Sequence, residues 1–187
     1  DLCGPMPEKS LGGARYFIMF VDDATRGVWA YPLKTKDEAL NTFILWHTKI
    51  ELSSGRKVKI PRFDNAGEYT SRAFKKYLSE KGIRHQRTAS YTPMQNGVAE
   101  QMNRTIQERV TAMLQYAKLK TEFLAEALHT TVYVINLSPS MVIRQQVPQA
   151  FWFGQTPRYD RLRIFGCEAY VFVPKGKWQK LAPRSMK

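Results

Sequence analysis

The sequence predicts an α/β sandwich built on a mixed sheet. Three observations carry that prediction: two apolar, strand-like runs follow each other directly near the N-terminus, strand and helix periods alternate after them, and no segment repeats. With 187 residues, 43% of them hydrophobic and 12% aromatic, the chain is long enough for one domain with a real core.

The elements follow in chain order. Tyr16 to Val21 is a nearly continuous apolar run, and Val28 to Leu33 is a second run of aromatic and β-branched residues. The turn DATRG separates them, so a hairpin of two buried strands is expected. Thr35, with Glu38 three residues on, reads as a capping box opening a first helix, which carries Ala39, Phe43, Leu45, Trp46 and Ile50 and ends at SSG. KVKIPRFDN reads as a short strand. TSRAFKKYLSEKG reads as an amphipathic helix burying Phe74, Tyr77 and Leu78 and stopped by Gly82. IRHQRT is another short strand, and the polar loop ASYTPMQN leads into a long helix from about Gly97 to Ala117. TEFLAEALHTTVYVINLSP is a further helix ending at Pro139. The remainder is rich in aromatics and turns, with strands expected at Leu162 to Phe165 and Ala169 to Val173.

Composition bounds the chemistry. Lys and Arg number 29 against 16 Asp and Glu, a formal net charge of +13. Such a balance suits a polyanion, because a basic domain gains affinity for nucleic acid by releasing condensed counterions. A basic surface that merely solubilises is the plain alternative. Cys3 and Cys167 are the only cysteines and His47, His85 and His129 the only histidines, none at zinc-ligand spacing. The two cysteines read as core residues rather than a disulfide. No run of about 18 apolar residues predicts a membrane span, and no signal peptide is visible. A chain opening on Asp1 reads as part of something longer.

Three carboxylates stand out. On a helical wheel from Gly97, residues Ala99, Met102, Ile106, Val110, Met113 and Ala117 form the core arc. Glu100, Asn103, Arg104, Gln107 and Thr111 form the adjoining polar arc. Glu100 therefore borders core and solvent, one turn into the helix; a first-turn Glu complementing the helix dipole is the simple reading. Asp64 ends a short strand, where an Asp also serves as a turn former. Asp1 starts an expected strand. Asp22, Asp23, Glu68 and Asp160 rank below these. Two-metal phosphodiester chemistry needs carboxylates from different elements converging on one sheet edge, and needs no His or Cys. Between Asp64 and Glu100 lie 100 − 64 − 1 = 35 residues.

Taken together, DLCGPM at 1–6, YFIMFVDDATR at 16–26, FDNAGEYTS at 63–71, YTPMQNGVAEQMNRT at 91–105, VYVINLSPS at 132–140 and LRIFGCEAYVFVPK at 162–175 resemble the integrase of Ty1/copia LTR retrotransposons. The resemblance implies a ribonuclease-H-like fold with a central mixed five-stranded sheet flanked by helices and a short C-terminal β-rich extension. Residues 1–140 would form the catalytic core and 141–187 the extension. It implies a D, D-35-E triad of Asp1, Asp64 and Glu100 holding two Mg²⁺ or Mn²⁺ ions, and 3′-end processing and strand transfer of element DNA. Tyr91, Gln95, Asn96, Asn103 and Arg104 are the expected contacts to double-stranded DNA, both element ends and target. It also implies a homo-oligomer in the full-length protein, a zinc module upstream, no membrane, and work in the nucleus after assembly in cytoplasmic virus-like particles. The chain departs from the family pattern at Phe63, Ala66, Met94 and Gln101, none of them an expected metal ligand. Two other readings stay open: a ribonuclease H or resolvase-like nuclease, and a catalytically idle or domesticated DNA-binding remnant.

Overall fold

The structure is a computed structural model and describes residues 1–63, 67–84, 86–87, 97–178 and 183–186. Strands β1 (Leu2–Cys3), β2 (Tyr16–Val21) and β3 (Val28–Leu33) form an antiparallel sheet in the order β1-β2-β3. The register pairs Leu2 with Ile18, Tyr16 with Leu33 and Val21 with Val28. Asp1 adds a rung, since its backbone N–H donates to Met19 O at 2.8 Å and its carbonyl accepts from Met19 N at 2.7 Å. The helices are α1 (Ala39–Ser54), α2 (Gly67–Thr70), α3 (Arg72–Glu80), α4 (Gly97–Ala117), α5 (Leu124–Leu137) and α6 (Pro148–Phe153).

Strand β2 explains the sandwich. Side chains alternate across a strand, so Phe17 and Met19 point to one face and Ile18 and Phe20 to the other, and all four are buried. On the first face they meet Ile106, Val110 and Leu114 of α4 and Ala127, Leu128 and Ile135 of α5. On the second they meet Ala39 and Phe43 of α1, Phe74 and Leu78 of α3, and Phe63 and Tyr69. A strand covered on both faces must be apolar throughout, which is why this run lacks polar alternation.

The five-stranded sheet expected from the sequence is corrected here. Among the described residues the main sheet has three strands, and β4 (Arg62–Phe63) pairs in parallel with β5 (Gln86–Arg87) as a separate ribbon. Proline limits the ladders: Pro5 follows β1 and Pro61 precedes β4, and neither has an N–H to donate. The C-terminal strands are also shorter than expected. Only β6 (Val171–Phe172) forms, pairing with β7 (Ser185–Met186), while 162–165 is not a strand. There the Arg163 guanidinium donates to the carbonyls of Asp160 and Leu162, tying the segment to itself.

Helix boundaries follow local chemistry. The Thr35/Glu38 capping box does not form: Lys36–Glu38 is a 3₁₀ turn, Thr35 makes no side-chain cap, and Glu38 Oε2 instead accepts from Lys34 N at 2.7 Å. Ser71 does cap α3, accepting from Phe74 N at 3.2 Å. The segment after α5 folds back on the core. Trp152 packs edge-on against Trp29 with centroids 5.1 Å apart, and the Tyr159 hydroxyl donates to Leu137 O. A Cβ at Gly166 would come within 2.5 Å of Ala117 Cβ, so only glycine permits that approach to α4. Along the edge of β3 away from β2, the Asn136 amide donates to Val28 O at 2.7 Å and accepts from Val28 N at 2.8 Å. None of the described helices is long and apolar enough to cross a membrane.

Phe43, wholly buried, lies within 6 Å of the ring centroids of Phe20, Phe63 and Phe74. Phe43→Ala should lower stability by about 3–5 kcal/mol through lost burial and a cavity, measured as a reduced urea midpoint at unchanged slope.

Candidate active site

Helix α4 and strand β1 run side by side, and two side-chain contacts fix their alignment. Asn103 Nδ2 donates to Asp1 Oδ2 at 2.5 Å, and one turn later Gln107 Nε2 donates to Cys3 Sγ at 3.0 Å. The spacings match: four helical residues advance about 6 Å and two strand residues about 6.6 Å. Both rungs therefore close without distorting either element. Glu100 lies three residues before Asn103, about 4.5 Å further along the axis. This sets it one turn beyond the Asn103–Asp1 contact, at the end of the strand where Asp1 stands.

Asp1 is half-buried, and its Oδ1 also accepts from the Leu2 backbone N–H at 2.9 Å. Glu100 is exposed and has no hydrogen-bond or ion-pair partner among the described residues. Beside them, burial pushes the Cys3 thiol above its ordinary range, against the opposing hydrogen bonds from the Gly4 backbone and Gln107. Cys3 is half-buried and packs against the core layer of α4 and α5.

A cleft of about 530 Å³ opens from Asp1 past the β2–β3 turn to Trp152. Trp29, Trp46 and Trp152 line its far wall, and Arg56, Lys59 and Arg62 stand along it. The Arg56 guanidinium lies 5.8 Å from the Trp152 ring centroid. On the near side Asp22 is occupied locally, its Oδ2 accepting from Thr25 N and Thr25 Oγ1, and Asp23 pairs with Arg26 at 2.8 Å. These two acids serve the turn.

The site residues expected from the sequence divide as follows. Asp1 and Glu100 are separated by one turn of α4. Arg104 is exposed on the same helix, next to Glu100. Asn103 is only 9% exposed and donates its amide N–H to Asp1. Asp64, Tyr91, Gln95 and Asn96 lie outside the described residues, as do Ala66 and Met94. The helical wheel had put Asn103 on the polar arc, yet from Ala99 the steps +4, +7 and +11 run through Asn103, Ile106 and Val110. That spacing held the signal of a buried polar residue. Gln107 and Cys3 carried no such signal.

Carboxylate oxygens are the donors that Mg²⁺ and Mn²⁺ prefer, and Glu100, without a partner among the described residues and one turn from the Asn103–Asp1 contact, fits such an ion. Among the described residues no cluster of three or more metal-binding side chains gathers.

Comparison with known proteins adds a family to this geometry. The family model of the integrase core domain matches residues 1–93. Over 186 residues, all of this chain, the sequence is 48% identical to the retrovirus-related Pol polyprotein from transposon TNT 1-94 of Nicotiana tabacum. The chain belongs to the integrase core domain family. It is similar to Ty1/copia-type retrotransposon Pol, and spans 14% of the length of that tobacco polyprotein. Two solved structures carry the same fold. One is the simian T-cell lymphotropic virus intasome in complex with PP2A regulatory subunit B56 gamma, with TM-score 0.65 and 21% identity, covering 100% of this chain and 64% of that one. The other is the HTLV-2 integrase catalytic core domain in complex with magnesium, with TM-score 0.60 and 17% identity, covering 81% of this chain and 92% of that one. The fold of this integrase core is therefore the ribonuclease-H-like one of the retroviral cores. The matched stretch ends before Glu100, so the third acid rests on its place beside Asp1.

Asn103→Leu keeps the volume and removes the donor to Asp1. It should cost about 1–3 kcal/mol, measured by urea unfolding in the presence of EDTA.

Proposed function

We propose that this chain is the catalytic core of a retrotransposon integrase that processes the 3′ ends of element DNA and joins them to target DNA. Asp1, Asp64 and Glu100 would be its catalytic carboxylates. The observation that carries the reading is the α4–β1 alignment, which brings the oriented Asp1 and Glu100, without a side-chain partner among the described residues, toward one end of the sheet within an integrase core family member.

Two Mg²⁺ or Mn²⁺ ions bound at these carboxylates would sharpen the attacking oxygen and stabilise the leaving one. The magnesium bound to the HTLV-2 core supports the same ion here. The chain itself contributes position and charge. Asn103 Nδ2 on one oxygen and the Leu2 N–H on the other hold the Asp1 carboxylate in one orientation at the strand end. Arg104 extends from the helix face next to Glu100, suited to a phosphate beside the reacting one. Arg56, Lys59 and Arg62 give the cleft a basic side along which a duplex backbone is attracted. In processing, water attacks the phosphorus near the 3′ end and the P–O3′ bond breaks, freeing a 3′ hydroxyl. In joining, that hydroxyl attacks a target phosphate and the target P–O3′ bond breaks. No covalent protein intermediate is needed. Double-stranded DNA is the partner, and the intasome neighbour supports a homo-oligomer of the full-length protein on paired ends. The place of action that follows is the nucleus, after assembly in cytoplasmic virus-like particles.

Strand transfer with a labelled duplex mimicking a processed element end tests this directly. Joined products in Mg²⁺ or Mn²⁺ that fall at least about a hundredfold in Glu100→Gln and Asp64→Asn are the expected outcome. Products unchanged in both variants would remove these acids from the mechanism. A wild-type chain that binds duplex and joins nothing would favour the idle DNA-binding reading.

A further inference from the structure

We infer that Glu51 is a positioning residue for the carboxylate site, acting through strand β4. The inference rests on the reading that Asp64, which follows β4 in sequence, belongs to the catalytic set.

Glu51 sits near the C-terminal end of α1 with its side chain 15% exposed. The helix stops at Gly55, whose φ of 65° turns the chain back and whose N–H donates to Glu51 O at 2.9 Å. The returning segment passes beside the Glu51 carboxylate. Oε1 accepts from the Val58 backbone N–H at 2.9 Å and Oε2 from Lys57 Nζ at 2.6 Å. Behind it, His47 Nε2 lies 3.1 Å from Oε1, and His47 Nδ1 is 2.8 Å from the Tyr77 hydroxyl of α3. His47 is itself buried. Burial alone would raise the Glu51 carboxyl, but the Lys57 and Val58 bonds and the nearby His47 outweigh it and hold the group below its ordinary range. One side chain thus joins α1, its own C-terminal turn and the incoming strand.

The clamp matters because β4 is short. Beyond Val58 the segment pairs with its neighbour through Arg84 N to Lys59 O at 3.1 Å and Gln86 N to Pro61 O at 3.2 Å, and Phe63 then enters the core. Phe63 stacks on Tyr69 at 4.6 Å and meets Phe43 edge-on at 5.6 Å. In a strand a slip of one residue exchanges the two faces. Such a slip would drive the exposed Arg62 toward the aromatic core and turn Phe63 out of it. Pairing over so few rungs resists slippage weakly; Glu51 fixes the segment at a backbone N–H, five residues upstream of Phe63.

Hydrogen exchange and kinetics together test the inference. Glu51→Ala removes both bonds; Glu51→Gln keeps an acceptor for Val58 N–H and drops the charge facing Lys57. In Glu51→Ala, amides in 57–63 should exchange about tenfold faster than in wild type, while α4 and α5 stay protected. Glu51→Gln should recover most of the difference. Strand-transfer kcat should fall about ten- to a hundredfold in Glu51→Ala with KM for DNA unchanged, the mark of misplacement without lost binding. Wild-type exchange across 57–63 in Glu51→Ala would overturn the clamp, and faster exchange with wild-type kcat would overturn its positioning role. If Glu51→Ala does not fold, Glu51→Gln and Lys57→Met decide the exchange measurement. An inactive wild-type chain would instead count against the catalytic reading, and the exchange result would still judge the clamp.

Discussion

The two-rung contact between α4 and β1 is the constraint on which the site depends. A three-stranded sheet and a long helix carry one expected metal-binding acid apiece, and their relative slide decides whether those acids meet. Asn103–Asp1 and Gln107–Cys3 set that slide. The cost is a polar amide in a mostly apolar interface, and its Oδ1 has no hydrogen-bond partner among the described residues. Burial of such an atom is unfavourable, so the arrangement is one that core packing alone would not select.

Around that contact the molecule separates stability from function. The aromatic cluster centred on Phe43 and the aliphatic layer of α4 and α5 grip β2 from opposite sides. Asp1 stands at the sheet's end and Glu100 is exposed, both outside the two buried layers. The basic residues stand apart again, along the cleft leading to Trp152. A net charge of +13 is tolerable for the fold because so much of it stays in water.

Much of the fold was legible in the sequence, and the reasons are physical. Strands β2 and β3 and helix α4 were bounded correctly because their signals are local: a doubly covered apolar run, and a long helical period opened by Gly97. The sheet size was not legible. Whether β4 joins β1 depends on which backbone groups meet across space, and residues such as Pro5 and Pro61 change that without altering the strand-like pattern nearby. The Thr35/Glu38 box failed for a similar reason, because Glu38 found the Lys34 N–H in a 3₁₀ turn. For the proposed site, the expectation for Glu100 rests on its spacing and the family resemblance. The roles of Asn103 and Glu51 were hidden, since each is defined by a partner distant in sequence or by the path of a turn.

One feature of the sheet bears on how the molecule behaves in company. Val28 directs its N–H and C=O outward from β3, and the alternating pattern of an antiparallel edge gives Ala30 and Pro32 the same outward sense. Asn136 occupies the first of these positions and proline deletes the donor at the last. A strand arriving from another molecule would find Val28 already paired and no donor at Pro32. The outer edge of β3 is thereby guarded against zipping onto the sheet of another molecule.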